Sequence, residues 1–68
     1  MSSGDPRQVA LSLVETGDVS LFRLWLHYWR QGGNACEMEL DAFIHGVPLL
    51  DAVEADILSW ALEVLSSP

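Results

Sequence analysis

The sequence predicts an all-α protein, a compact bundle of four short helices at about residues 6–16, 19–31, 35–45 and 52–65. Three observations predict it. Apolar residues recur at helical spacing, and no useful stretch alternates with the period of two that a half-buried strand needs. Pairs of residues suited to helix starts precede the apolar runs, as in Asp5-Pro6-Arg7-Gln8, Asn34 with Glu37, and Asp51 with Glu54. Glycines follow those runs at Gly17, Gly32-Gly33 and Gly46, and Val47-Pro48 blocks continuation of the third helix.

The first helix opens with Asp5 as N-cap and Pro6 at the first helical position, where its missing N–H costs nothing. Its apolar face is Val9, Ala10, Leu13 and Val14, and it should stop at Gly17. Asp18 is expected to cap the second helix. That helix contains LFRLWLHYW, Leu21 to Trp29, with two of the three tryptophans, the only tyrosine and one of the two phenylalanines. At about 100° per residue its polar side is Ser20, Arg23, His27, Arg30 and Gln31, leaving an apolar arc of roughly 220°. Trp25 lies near the middle of that arc and is expected in the core. One packing layer covers only about 100–140°, so the helix should carry surplus apolar surface.

Asn34 is expected to cap the third helix, whose stripe of Cys36, Leu40, Phe43 and Ile44 suits one buried edge. On the fourth helix, Val53, Ile57, Leu58, Trp60, Ala61, Leu62, Val64 and Leu65 span about 200°, so it too is over-wide. The second and fourth helices should meet at the centre, with the first and third on their flanks. Ser2-Ser3-Gly4 and Ser66-Ser67-Pro68 read as frayed ends of a single small domain over 1–68.

Composition narrows the function classes. Half the residues are apolar and the net charge is −7, with Arg7, Arg23 and Arg30 as the fixed cations and no lysine. Such a chain repels phosphate backbones and anionic membranes, so neither direct nucleic-acid binding nor membrane binding is expected. The second helix, turn and third helix outline a helix-turn-helix, but the reader would carry Glu37, Glu39 and Asp41. Arginine without lysine, beside abundant Ala, Gly, Asp and Trp, hints at a GC-rich bacterial or phage genome. The start MSSGDPRQ lacks the basic and apolar regions of a secretory signal, and no apolar run approaches ~20 residues, so a cytoplasmic protein is expected.

No chemistry is expected either. The lone Cys36 cannot form an internal disulfide, and with His27 and His45 it matches no chelating spacing, so no metal and no cofactor are expected. Cys36 reads as a buried structural thiol, and His45, four residues after Asp41, as a C-terminal cap. His27, between Arg23 and Arg30, belongs to a solvated cationic stripe, with contact to an acidic partner as the functional alternative. The acids Glu37, Glu39, Asp41, Asp51, Glu54 and Asp56 are explained by capping and helix dipoles, and no GxGxxG, P-loop, HExxH or calcium loop is present. An enzyme is not expected.

Two functions remain. The first is a protein-interaction module, a small regulator, adaptor or inhibitor that docks helix surface on a larger protein or on a second copy as a homodimer. Its contacts are expected among Phe22, Arg23, Leu24, Leu26, Tyr28, Trp29 and Arg30, and among Leu58, Leu62 and Leu65. The third helix and Val47–Leu50 could instead cover these faces and leave a monomer. The second function is an acidic decoy that mimics nucleic acid and blocks a basic site on a DNA- or RNA-binding protein. Salt separates the two, because only the decoy should weaken steeply as salt rises.

Overall fold

Local hydrogen bonding fixes where each helix begins and ends. The computed structural model describes residues 5–66 and contains four helices: α1 (Pro6–Glu15), α2 (Leu21–Arg30), α3 (Glu37–Ile44) and α4 (Ala52–Ser66). No strand occurs among the described residues. The expected frayed ends at 1–4 and 67–68 lie outside them, while Ser66 is the last residue of α4.

Helices α1, α2 and α3 end alike. Gly17, Gly32 and Gly46 have φ of 82°, 107° and 113°, the left-handed region that an L side chain resists. In each case the glycine N–H and the following N–H turn back to the helix's last-turn carbonyls: Gly17 to Val14 and Asp18 to Leu13, Gly32 to Trp29 and Gly33 to Tyr28, Gly46 to Phe43 and Val47 to Ala42.

Two helix starts differ from the sequence expectation. Asp18 does not cap α2, because its N–H closes the end of α1 and its carboxylate accepts from Thr16 Oγ1 at 2.9 Å. Ser20 takes the role instead, its Oγ accepting from Arg23 N at 3.1 Å. Asn34 does not cap α3 either. Its N–H donates to Glu54 Oε1 at 3.0 Å, and Ala35 is held at both ends by α2. Tyr28 Oη accepts from Ala35 N at 2.9 Å, and Trp25 Nε1 donates to Ala35 O at 2.9 Å. With these groups taken, the helix starts only after Cys36, whose N–H is capped by Glu39 Oε1 at 2.9 Å. Cys36 is therefore an exposed N-cap and not the buried thiol of a stripe. Asp5 and Asp51 cap α1 and α4 as expected, through Arg7 N at 3.1 Å and Glu54 N at 2.9 Å.

The largest interhelical contact is α2 against α4, as the two wide apolar arcs suggest. They run antiparallel. Tyr28 near the end of α2 meets Glu54 near the start of α4, and Arg23 and Leu65 line one cleft at the other end. Helix α1 packs on α4 and α3, and α3 closes the ring against α2. The core comprises Ala10, Val19, Leu24, Tyr28, Leu40, Ile44, Ile57, Leu58, Ala61 and Leu62. Burying each of its large side chains contributes roughly 1.5–3 kcal/mol, enough in sum to hold helices too short to persist alone.

Trp25 is not at the centre of this core. It is only partly buried, packed on the core's edge, and the fully buried positions of α2 are Leu24 and Tyr28. The helix is rolled toward one edge of its apolar arc.

Candidate functional site

That roll decides which side chains α2 offers to solvent. With Leu24 and Tyr28 turned inward, Phe22 and Trp29 stand 55% exposed, and Trp25 and Leu26 lie partly buried between them. The rings touch in sequence along the helix. Phe22 and Trp25 have centroids 6.0 Å apart at 36°, and Trp25 and Trp29 stack at 6.1 Å and 24°. This is within the range of attractive offset stacking. Trp25 is further fixed by its hydrogen bond to Ala35. Rings already held in place lose little freedom on binding, which favours affinity per unit area. Arg23 and Arg30 flank the ladder, both exposed and neither in an ion pair among the described residues. Arg7, by contrast, is engaged with Asp5 at 3.8 Å and with the Ile44 carbonyl at 3.4 Å.

The expected contact residues divide in two. Phe22, Arg23, Leu26, Trp29 and Arg30 share this outer side of α2. Leu24, Tyr28, Leu58 and Leu62 do not reach the surface: all four are buried, and Leu65 packs against them from the core's edge. The reason is reciprocal: the α2–α4 contact consumes one flank of each apolar arc. The flank of α4 left over is one the sequence reading did not single out, namely Val53 (65% exposed), Trp60 (54%) and Val64 (48%). Its signal was present, since these residues form one edge of the α4 arc, but only packing chooses between edges. Val47 and Leu49, the alternative cover for the apolar faces of α2 and α4, are themselves exposed, while Leu50 packs on the core.

The polar groups of the interior are spent on structure. Tyr28 Oη donates to Glu54 Oε1 at 2.5 Å while accepting from Ala35 N, and Glu54 Oε1 also accepts from Asn34 N. Burial, the bond to Glu54 and its negative charge hold the Tyr28 hydroxyl in its neutral form, with the pKa pushed up to about 12. Beside this node lies a shallow cleft of about 210 Å³ lined by Asn34, Ala35, Glu39, Leu49, Leu50 and Glu54. Both of its carboxylates are committed to backbone N–H groups, Glu39 at Cys36 and Glu54 at Asn34. At the end of α3, His45 Nδ1 sits 2.8 Å from the Asp41 carbonyl and 3.3 Å from Asp41 Oδ1, a cap of the helix terminus. His27 is half-buried on α2. Among the described residues no cluster of three or more His, Cys, Asp or Glu could hold a metal ion, and no helix is long and apolar enough to cross a membrane.

No protein family, curated protein or solved structure matches this chain. The geometry of the outer side of α2 carries the functional argument.

Proposed function

We propose that the protein is a small interaction module, a cytoplasmic regulator, adaptor or inhibitor that binds another protein or its own copy through the outer side of α2. One observation carries the reading: Phe22, Trp25 and Trp29 form a continuous ring ladder on the surface of a helix that buries its remaining aromatic residue, Tyr28, completely. Ordered aromatic rings beside unpaired arginines are the composition of binding hot spots. Solubility alone would favour polar side chains at Phe22 and Trp29, which the bundle does not need for its core.

The acidic-decoy reading has less support. A phosphate mimic presents carboxylates free to meet a basic groove, whereas Asp5, Asp18, Glu39, Asp41 and Asp51 are each bonded to a local group and Glu54 to Tyr28 and the Asn34 N–H. The test is chemical cross-linking in host extract with the wild-type protein and with Phe22→Ser/Trp29→Ser. The expected result is a captured protein that disappears with the double variant and persists in 0.5 M salt. Capture that ignores the substitutions but collapses with salt would favour the decoy.

A further inference from the structure

At the end of the bundle away from the Tyr28–Glu54 node, the α1–α2 turn, the first turn of α2 and the last turn of α4 border a cleft of about 220 Å³. Its lining is divided by chemistry. Leu13, Val19 and Leu65 supply apolar walls, while Asp18, Arg23 and Ser66 supply an acid, a base and a hydroxyl. Asp18 and Arg23 line the same cleft without pairing with each other, and the Arg23 guanidinium forms no ion pair among the described residues.

Local bonds place both charges. The Asp18 N–H closes α1 by donating to Leu13 O, and its Oδ2 accepts from Thr16 Oγ1 at 2.9 Å. Arg23 is set in the first turn of α2 by the bond from its N–H to Ser20 Oγ at 3.1 Å. The helix ends around the cleft carry the same polarity. Leu13 and Leu65 belong to the last turns of α1 and α4, the negative ends of those helices, and Arg23 belongs to the positive start of α2. The cleft is a dipole with an apolar floor.

Such a site selects against a single charge. A lone anion would meet Asp18 and a lone cation would meet Arg23, each repelled by its like. The occupant must therefore carry both charges and an apolar body, and it must be small. A volume of about 220 Å³ is roughly seven water molecules' share of the liquid, below the ~300–1,000 Å³ of sites for drug-sized ligands. We infer that the cleft binds a free aliphatic α-amino acid, with its carboxylate on Arg23, its ammonium on Asp18 and its side chain against Leu13, Val19 and Leu65. Asp18 and Arg23 are both exposed, so solvent screens the pairing and the affinity belongs to the millimolar class. This site does not depend on what binds the ring ladder of α2.

Titration of the whole isotope-labelled chain with L-leucine, followed by amide NMR, tests it. Three comparison solutes each lack one part of leucine: isocaproate the ammonium, isoamylamine the carboxylate, and glycine the side chain. The expected result is saturable shifts at the amides of Asp18, Val19, Arg23 and Leu65 with a millimolar Kd, and binding about three- to tenfold weaker for each comparison solute. Asp18→Asn and Arg23→Gln should each weaken leucine binding by a similar factor. Asparagine can still accept from Thr16 Oγ1, and the Arg23 bond to Ser20 is made by the backbone, so both variants should keep native helicity by circular dichroism. Should either fail to fold, the solute series on the wild type decides alone. No saturable shift at the cleft amides up to about 50 mM leucine would overturn the site. Comparison solutes that bind as tightly as leucine, or folded variants that bind it unchanged, would overturn it too.

Discussion

The two sides of α2 are built from the same kinds of residue and have opposite fates. Tyr28 is sealed from solvent, while Trp29, its neighbour in sequence, is half exposed. Size and apolarity do not explain this, because tryptophan has the larger ring. The difference lies in what each ring's surroundings can satisfy. The Tyr28 hydroxyl reaches a carboxylate on α4 and a backbone N–H of the α2–α3 loop, so its burial leaves no polar atom unpaired. Gly33 makes room, since a Cβ there would stand 2.3–2.5 Å from the tyrosine ring. Trp29 has no such setting. Between these two neighbours, burial follows the polar tip and the space around it.

The comparison is sharpest in a pair of truncations. Tyr28→Ala should cost about 3–5 kcal/mol, comparable with the whole stability of a chain this short. Trp29→Ala loses only the stack on Trp25 and the covered part of the ring, so it should cost about 1–2 kcal/mol. Thermal unfolding followed by circular dichroism measures both, and similar losses at the two positions would break the distinction.

A smaller loss is expected from Gly33→Ala. Gly33 is not among the positive-φ glycines, so the penalty there is collision with the tyrosine ring and not backbone strain. About 1–3 kcal/mol follows from overpacking a filled site. In Tyr28→Leu, which removes the ring atoms facing Gly33 but still fills much of the core, adding Gly33→Ala should cost little. A double-mutant cycle in urea reads this coupling, and additivity would refute the contact.

The mildest probe is alkaline pH. The Tyr28 pKa is raised to about 12 in the folded chain, against about 10 for an unperturbed tyrosine. The unfolded chain therefore releases this proton first. The stabilisation is fully present below pH ~10 and is lost as pH rises from ~10 to ~12, by roughly 2 kcal/mol. The chain has no lysine and a single tyrosine, so no other tyrosine or lysine obscures this window. Melting temperature should fall across it in the wild type. In Tyr28→Phe that fall should be absent, on a baseline about 1–3 kcal/mol less stable because Ala35 N and Glu54 lose their partner. A wild type as stable at pH 12 as at pH 9 would remove Tyr28 from the interior.

Much of this protein was legible in its sequence because much of it is local. The number and order of the helices follow from apolar spacing, and their ends follow from glycines whose left-handed φ no neighbour could supply as readily. Asp5, Pro6 and Asp51 likewise act within a few residues of themselves. The width of the α2 and α4 apolar arcs, and hence some surplus at the surface, was also readable. The roll of α2 was not, and with it went the placing of Leu24, Tyr28 and Trp25 and the recognition of Val53, Trp60 and Val64. Nor was the start of α3, because the groups that hold Asn34 and Ala35 out of a helix come from Glu54, Tyr28 and Trp25. A helix's own pattern sets how wide its apolar face is. Which part of that face is buried depends on distant partners able to fill the space and satisfy the polar atoms, and only the tertiary structure brings those together.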